Sequence, residues 1–182
     1  YQIRNRGTVG GSLALADPAA ELPGIAVTCG AKIAITGSSG ERIVDAGDFF
    51  LGPMTTALEP GEIITGLRLS AWPRERRWAF LEFTRQRGDF ALVGISLFYD
   101  LDTEGRATGT HIGVIGASDR PHRLGPAEQV IDGRIVDDVV IEAAAIAASE
   151  AVNPIEDFHA LADYRRALVK TLVERALKQA VG

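Results

Sequence analysis

The sequence of 182 residues contains very little cysteine and histidine. Cys29 is its one cysteine, and His111, His122 and His159 are its three histidines. A single thiol excludes an internal disulfide and an iron–sulfur cluster held by cysteines of this chain. It also favours a reducing, cytoplasmic compartment. The histidines lie far apart in the sequence and lack the short spacings of a metal site, so we predict surface or packing roles for them and no bound metal.

Long apolar runs and an excess of positive charge are also missing. No apolar run approaches the roughly 20 residues needed to cross a bilayer, and the polar start lacks the apolar core of a signal peptide. We therefore expect neither a membrane span nor a secretory leader. The net charge of -5 gives no general attraction to nucleic acid. An apolar content of 46% and a charged content of 24% are typical of a globular protein with a sizeable core.

Short strands and turns characterise the first 70 residues. Residues 31–45 read AKIAIT-GSSG-ERIVD, and the two alternating segments around a glycine-serine turn predict a β-hairpin. A further strand is predicted over 63–69, after the turn residues EPGE. A short helix is predicted within 13–24, with Asp17 as its N-cap and Glu21 near the positive end of its dipole.

Strands and then helices characterise the rest of the chain, and Trp72-Pro73 marks a plausible boundary. The predicted strands cover 78–85, 91–101 and 107–116, and the predicted helices cover about 126–131, 136–151 and 161–180. Consecutive strands of this kind predict an antiparallel meander. The last helix carries one apolar stripe, formed by Leu168, Leu172, Val173, Ala176 and Leu177. We therefore predict an α+β fold with two domains, 1–71 and 72–182.

The segment Gly7–Ser12 (GTVGGS) is the motif with the clearest chemistry. Adjacent glycines allow a backbone to approach a phosphate closely and to point N–H groups at it, and Thr8 and Ser12 add hydroxyl groups. The segment matches neither the phosphate loop of nucleoside triphosphatases nor the GxGxxG dinucleotide fingerprint. Taken alone, it is better explained as a structural glycine turn.

Three separated segments together resemble one known family. IRNRGTVGGSLALADPAAELP (3–23), GPMTTALEPGEIITGLRL (52–69) and FTRQRGDFALVGIS (83–96) occur in the order found in the flavoprotein subunits of molybdenum hydroxylases of the carbon monoxide dehydrogenase and xanthine dehydrogenase type. The resemblance covers nearly the whole chain. It implies the C-terminal part of a PCMH-type FAD-binding domain, followed by a small antiparallel sheet covered by helices.

The resemblance also implies which residues contact FAD. The residues that correspond to the pyrophosphate loop are Thr8, Val9, Gly10, Gly11 and Ser12. Further implied contacts are Asp17, Glu21 and Ile64, the last beside the flavin ring. Glu82 is also implied, in a loop near the ring edge that carries Arg85, Arg87 and Asp89. Three of these assignments have a simpler structural explanation. Asp17 could be a helix cap, Ile64 could belong to the hydrophobic core, and the charged loop could form ion pairs at the surface. Some family members have a flavin-contacting lysine in this loop, where this chain has Leu81 and Glu82.

The implied function is that of an oxidoreductase subunit that transfers electrons. In the family, electrons pass from iron–sulfur clusters on a small subunit to FAD and then to NAD or another acceptor, while a large subunit holds the molybdenum cofactor; a dimer of such heterotrimers is expected. No Ser-His-Asp or Cys-His arrangement is recognisable in this chain, so we predict no catalytic acid, base or nucleophile in it.

The family has an earlier glycine-rich FAD motif that these 182 residues do not include. The resemblance therefore implies that the sequence corresponds to the C-terminal two thirds of a longer subunit. This leaves an alternative function open, in which the chain is a non-catalytic assembly domain that binds partner subunits without holding FAD on its own.

Overall fold

A computed structural model describes residues 5–86 and 88–182 of the chain, and these residues form two packed units. The elements of the N-terminal unit are α1 (Val9–Leu15), α2 (Glu21–Thr28), β1 (Lys32–Gly37), β2 (Gly40–Asp45), α3 (Ala46–Phe49), β3 (Phe50–Gly52), β4 (Thr55–Thr56) and β5 (Ile63–Arg68). Those of the C-terminal unit are β6 (Arg77–Phe83), β7 (Val93–Leu101), β8 (Ala107–Ile115), β9 (His122–Arg123), α4 (Gly125–Ile131), α5 (Asp138–Glu150) and α6 (Ala162–Val181). The α+β class is confirmed.

A three-stranded antiparallel sheet of order β2-β1-β5 organises the N-terminal unit. The predicted hairpin is confirmed: β1 pairs with β2 from Lys32 opposite Asp45 to Gly37 opposite Gly40. Alternate residues of β1 point to a small core, in which Ile33 and Ile35 are fully buried. The helices supply the other side chains of this core, including Leu13 of α1 and Phe49 of α3.

A four-stranded antiparallel sheet of order β6-β7-β8-β9 organises the C-terminal unit. Its first three strands form the meander expected from the sequence. One face of the sheet is covered by α4, α5 and α6, and the predicted apolar stripe of α6 is buried there. Seven successive residues of β7, Val93 to Tyr99, are buried, because the opposite face of the sheet packs against α2 of the N-terminal unit.

The two units meet along α2, where small residues allow close approach. Thr28 Oγ1 of α2 lies 2.6 Å from Ser96 Oγ of β7, and His111 of β8 hydrogen-bonds through Nδ1 to the carbonyl oxygen of Thr28. A methyl group added at Gly24 would collide with Ile115 at the end of β8. The second contact region is the backbone bond from the N–H of Gly116 to the carbonyl oxygen of Pro18, 2.9 Å long.

Among the helices that lie within residues 5–86 and 88–182, none is both long enough and apolar enough to span a lipid bilayer.

Candidate functional site

The glycine-rich segment forms the start of helix α1 rather than a turn. Thr8 has extended backbone angles and is the N-cap residue, and its Oγ1 accepts a hydrogen bond of 2.9 Å from the N–H of Gly11. The first N–H groups of a helix lack intrahelical acceptors and carry the positive end of the helix dipole. No acidic side chain occupies this first turn. The helix start is therefore positively polarised, although the N–H groups of Gly11 and Ser12 are already bonded to the hydroxyl and carbonyl oxygens of Thr8.

The two glycines keep this helix start free of side chains, and each has a specific neighbour. A methyl group at Gly11 would lie 2.8 Å from Thr8 Oγ1 and would disturb the cap. At Gly10 it would lie 3.8 Å from the carbonyl oxygen of Ile64 in β5, which is ordinary van der Waals contact. Gly10 therefore faces strand β5, and Gly11 faces outward beside the cap.

Ile64 lies with this helix start. It is partly buried, packs against the N-terminal core and is paired with Ile35 of β1. A methyl group at Gly10 would lie 4.0 Å from Ile64 Cβ, so Ile64 lies beside the start of α1. Its implied contact with a flavin ring stays a prediction.

The prediction that Asp17 caps a helix is wrong. Helix α1 ends at Leu15, and Ala16 adopts the left-handed conformation, with a φ of 53°. Asp17 lies in the turn that follows, where its Oδ1 accepts a hydrogen bond of 2.8 Å from the N–H of Ala19. The N-cap of α2 is Ala20, which offers no side-chain cap. Glu21 does lie in the first turn of α2, as predicted, where a carboxylate favours the helix dipole.

A cleft of about 620 Å³ opens where the two units meet. The N-terminal unit contributes the turn 17–19 and Pro53 to its wall. The C-terminal unit contributes Arg85, the loop 88–92, residues 116 and 118, and three residues of the segment 155–159. Arg165 of α6 completes the lining. The cleft is thus built from segments distant in sequence, and it combines apolar walls with charged groups of both signs.

Arg165 and Asp157 form a charged pair in this cleft, in which Arg165 is buried and Asp157 is exposed. Arg165 is 6% exposed, and its Nη2 donates a hydrogen bond of 2.8 Å to Asp157 Oδ2. Burial raises the pKa of Asp157, but hydrogen bonds from the N–H of Ala160 and from Arg165 outweigh burial and leave that pKa below its usual value. Asp157 is therefore a carboxylate at neutral pH. At the rim, Arg85 Nη1 lies 3.4 Å from His159 Nδ1.

The candidate residues thus fall into two groups with some outside both. Thr8, Val9, Gly10, Gly11, Ser12 and Ile64 lie at or beside the start of α1, whereas Asp17, Arg85 and Asp89 line the cleft. Glu21 lines neither, and Glu82 lies near the end of β6, opposite Gly94 of β7. Arg87 is outside the described residues.

Arg165 is a charged cleft residue that the sequence analysis did not single out. A signal was present in the sequence. Arg165 precedes Leu168, Val169 and Leu172 by three, four and seven residues, so it falls on the apolar stripe of α6. A charged residue on such a stripe requires buried partners.

The part of the chain that the structure describes contains no cluster of side chains suited to bind a metal ion. Within residues 5–86 and 88–182, no group of three or more His, Cys, Asp or Glu side chains is placed to hold a metal ion.

Comparison with known proteins supplies the family. Residues 1–72 match the model of the FAD binding domain in molybdopterin dehydrogenase, and residues 78–180 match that of the CO dehydrogenase flavoprotein C-terminal domain. The alpha subunit of the 6-hydroxypseudooxynicotine dehydrogenase complex of Paenarthrobacter nicotinovorans is 35% identical over 99% of this chain and 61% of its own length. The carbon monoxide dehydrogenase medium chain of Afipia carboxidovorans is 30% identical over 98% of this chain and 62% of its own.

Solved structures agree with these matches. Carbon monoxide dehydrogenase from Hydrogenophaga pseudoflava superposes with a TM-score of 0.94 at 32% identity, over 99% of this chain and 62% of the other. The chain thus spans about 61% to 62% of the length of the proteins described above. It belongs to the family of FAD-binding medium subunits of molybdenum hydroxylases, the carbon monoxide dehydrogenase flavoprotein type.

Proposed function

We propose that the protein is the FAD-binding, electron-transferring subunit of a molybdenum hydroxylase, and so part of an oxidoreductase. The observation that carries this proposal is the succession of two family matches, over residues 1–72 and 78–180, in a chain whose first match contains the glycine-rich start of α1. We propose the division suggested by the sequence, with 1–71 as the second lobe of the FAD-binding domain and 72–182 as the C-terminal domain.

The start of α1 fits a pyrophosphate group. It offers backbone N–H groups, the Thr8 hydroxyl and no carboxylate in its first turn, which is the combination that favours an anion at a helix start. The absence of side chains at Gly10 and Gly11 permits the close approach that such a group requires. Val9 and Ser12 complete this segment, and Ile64 adds an apolar surface beside it.

The cleft fits the ring end of the cofactor. Its walls carry the apolar side chains of Pro18, Phe90 and Leu92, which suit a flat aromatic group, and Asp17, Arg85 and Asp89 offer polar contacts to the ring edge. FAD supplies the electron-carrying chemistry when it is bound, as cofactors do in oxidoreductases. The residues of this chain bind it, orient it and exclude water from it.

The finer parts of the function extend the same proposal. We propose that electrons arrive from [2Fe-2S] clusters on a small subunit and leave to NAD or another acceptor, and that the molybdenum cofactor lies on a large subunit. A dimer of heterotrimers and a cytoplasmic location, expected from the resemblance and from the single cysteine, belong to this proposal as well.

One observation favours the alternative of an assembly domain that does not hold FAD. Several large apolar side chains are exposed on the C-terminal unit, among them Trp78 of the edge strand β6 at 57% and Phe158 at 88%. Aromatic side chains of this kind are enriched where protein partners bind. This alternative predicts association with partner subunits and no flavin.

The test is FAD uptake by the purified full-length subunit, including the earlier glycine-rich motif that the resemblance implies. The protein is incubated with FAD, separated from free cofactor by gel filtration and examined by visible absorption. We expect a retained flavin band with a perturbed shape. A protein that elutes without flavin, while still associating with its partner subunits, would contradict the proposal and support the assembly domain.

A variant at the helix start locates the binding. Thr8→Ala removes one hydroxyl, and a hydrogen bond to a charged group contributes roughly 1.5–3 kcal/mol. We therefore expect FAD to bind about tenfold more weakly or worse. Thr171→Ala, which removes an exposed hydroxyl on α6 that donates to the carbonyl oxygen of Ala167, is the matched control and should leave FAD affinity unchanged. Equal affinities of both variants would exclude Thr8 from the site.

A further inference from the structure

Arg165 is the residue of the C-terminal unit whose burial most needs an explanation. It lies in the first turn of α6 and is 6% exposed, and placing an uncompensated charge in such a position costs several kcal/mol. Its neighbour Arg166 is partly exposed and forms an ordinary surface pair with Asp163. The two adjacent arginines therefore have different roles.

The contacts of Arg165 join three segments of the cleft wall. Its Nη1 donates to the carbonyl oxygens of Leu92 and Gly116, both at 2.7 Å. Its Nη2 donates to Asp157 at 2.8 Å. Its Nε has no acceptor within the described residues, so the position of the guanidinium follows from the other three bonds.

Gly116 extends these contacts to the N-terminal unit. Its carbonyl oxygen accepts from Arg165, and its N–H donates to the carbonyl oxygen of Pro18 at 2.9 Å. With a φ of +73°, Gly116 adopts a conformation that other residues rarely take, and a methyl group there would collide with the carbonyl oxygen of Leu92. Arg165 is therefore two hydrogen bonds away from the turn that carries Asp17.

Asp157 extends the contacts to the rim. Its Oδ1 accepts from the N–H groups of His159 and Ala160, at 2.9 and 3.0 Å. The ring of His159 in turn lies beside Arg85. Asp157 thus contacts the guanidinium of Arg165 directly, and Arg85 connects to it through His159 and Asp157.

We propose that Arg165 is a positioning residue that fixes the shape of the cleft for the flavin ring. This inference rests on the proposed function, since it takes the cleft to be the site of the ring. Arg165 acts through Leu92, Gly116 and Asp157. A lysine keeps the charge but has one ammonium group instead of a planar fork, and it cannot reproduce this set of bonds.

The experiment compares three variants of the purified protein, Arg165→Lys, Asp157→Asn and the control Arg166→Lys. For each, FAD affinity is measured by flavin fluorescence, the ring environment by visible circular dichroism of the saturated protein, and stability by urea unfolding. We expect Arg165→Lys to weaken FAD binding at least about tenfold and to change the visible spectrum of the bound flavin. Asp157→Asn should act in the same direction with a smaller effect, and Arg166→Lys should change neither property.

The outcomes separate the inference from the proposed function. If the wild-type protein takes up no FAD, the proposed function and this inference both fail. If the wild type binds FAD and the variants of Arg165 and Asp157 lose only stability, with unchanged affinity and spectrum, Arg165 is merely structural and the inference alone is overturned. If Arg165→Lys does not fold, the affinity and spectrum of Asp157→Asn decide by the same criteria.

Discussion

Among single residues, Glu62 and Arg42 make the best-connected ion pair of the N-terminal unit. Arg42 donates from Nε and Nη2 to the two carboxylate oxygens of Glu62, both at 2.7 Å, and from Nη2 to the carbonyl oxygen of Ala57. Glu62 also accepts from the N–H of Glu59 at 2.7 Å. The pair therefore fastens strand β2 to the loop that leads into β5.

This pair predicts a loss of stability in acid. The hydrogen bonds from Arg42 and then from the N–H of Glu59 lower the pKa of Glu62 from 4.5 to about 2. Because the folded pKa lies below the unfolded one, the contribution of Glu62 is complete above about 4.5 and is lost as the pH falls toward 2. We expect Glu62→Gln to flatten the decrease in unfolding free energy across this range, measured by urea unfolding at several pH values. Glu41→Gln, on β2 outside the pair, should keep the wild-type slope; equal slopes for both variants would contradict the assignment.

Residue roles could be predicted from the sequence where the contact is local. Glu21 lies in a first helical turn, as its position after Asp17 and Pro18 suggested. Asp17 was mistaken for a cap because aspartate hydrogen-bonds equally well to its own turn, and the sequence does not distinguish these uses. The carbonyl oxygens that accept hydrogen bonds from Arg165 belong to Gly116 and Leu92, which lie 49 and 73 residues away from it in the sequence. No local sequence pattern could reveal partners at such distances.

Among the elements, α6 and α1 mark the two limits of sequence-based prediction. Helix α6 was predicted at 161–180 and is observed at Ala162–Val181, because its 3.6-residue periodicity runs through five turns. Helix α1 was missed because two adjacent glycines have poor helix propensity. Its stability comes from the Thr8 cap and from packing against β5, and the second of these is a tertiary contact.

The buried stripe of α6 predicts a large cost for shortening one side chain. Leu177 is fully buried in the core between the helices and the sheet. We expect Leu177→Ala to lower the free energy of unfolding by about 2–5 kcal/mol, through lost burial and the cavity left behind. Leu161→Ala, at the N-cap position of the same helix and 62% exposed, should change it by about 0.5 kcal/mol or less. Urea unfolding followed by circular dichroism measures both, and similar losses for the two variants would contradict this packing.

For the whole molecule, the decisive feature is the seam between α2 and the sheet of the C-terminal unit. The contacts of Thr28 with Ser96 and of Gly24 with Ile115 join residues 68 or more positions apart. Sequence patterns alone predicted the meander and the helices. They gave no indication that α2 would cover the second face of the sheet. The arrangement depends on small side chains at the seam, since Gly24 and Gly113 leave no room for a methyl group.

Gly24→Ala tests this seam because the added methyl group would meet Ile115 across it. The substitution has two effects of opposite sign on the free energy of unfolding. Alanine favours helix α2 by up to about 1 kcal/mol, whereas its methyl group would overlap Ile115, and overpacking typically costs 1–3 kcal/mol. We expect the clash to dominate, with a net loss of about 1–2 kcal/mol in unfolding free energy. Gly47→Ala, in α3 with no atom nearby, provides the control and should be neutral or slightly stabilising.

The double variant Gly24→Ala with Ile115→Ala separates the seam from a general effect on α2. Removing the Ile115 side chain removes the atom that the new methyl group meets. The double variant should therefore be more stable than the sum of the two single losses predicts, because residues in contact do not behave additively. Urea unfolding followed both by tryptophan fluorescence, from Trp72 and Trp78, and by circular dichroism provides the measurement. Strict additivity, or a Gly24→Ala variant as stable as Gly47→Ala, would mean that α2 does not dock on β8 in solution as it does in the structure.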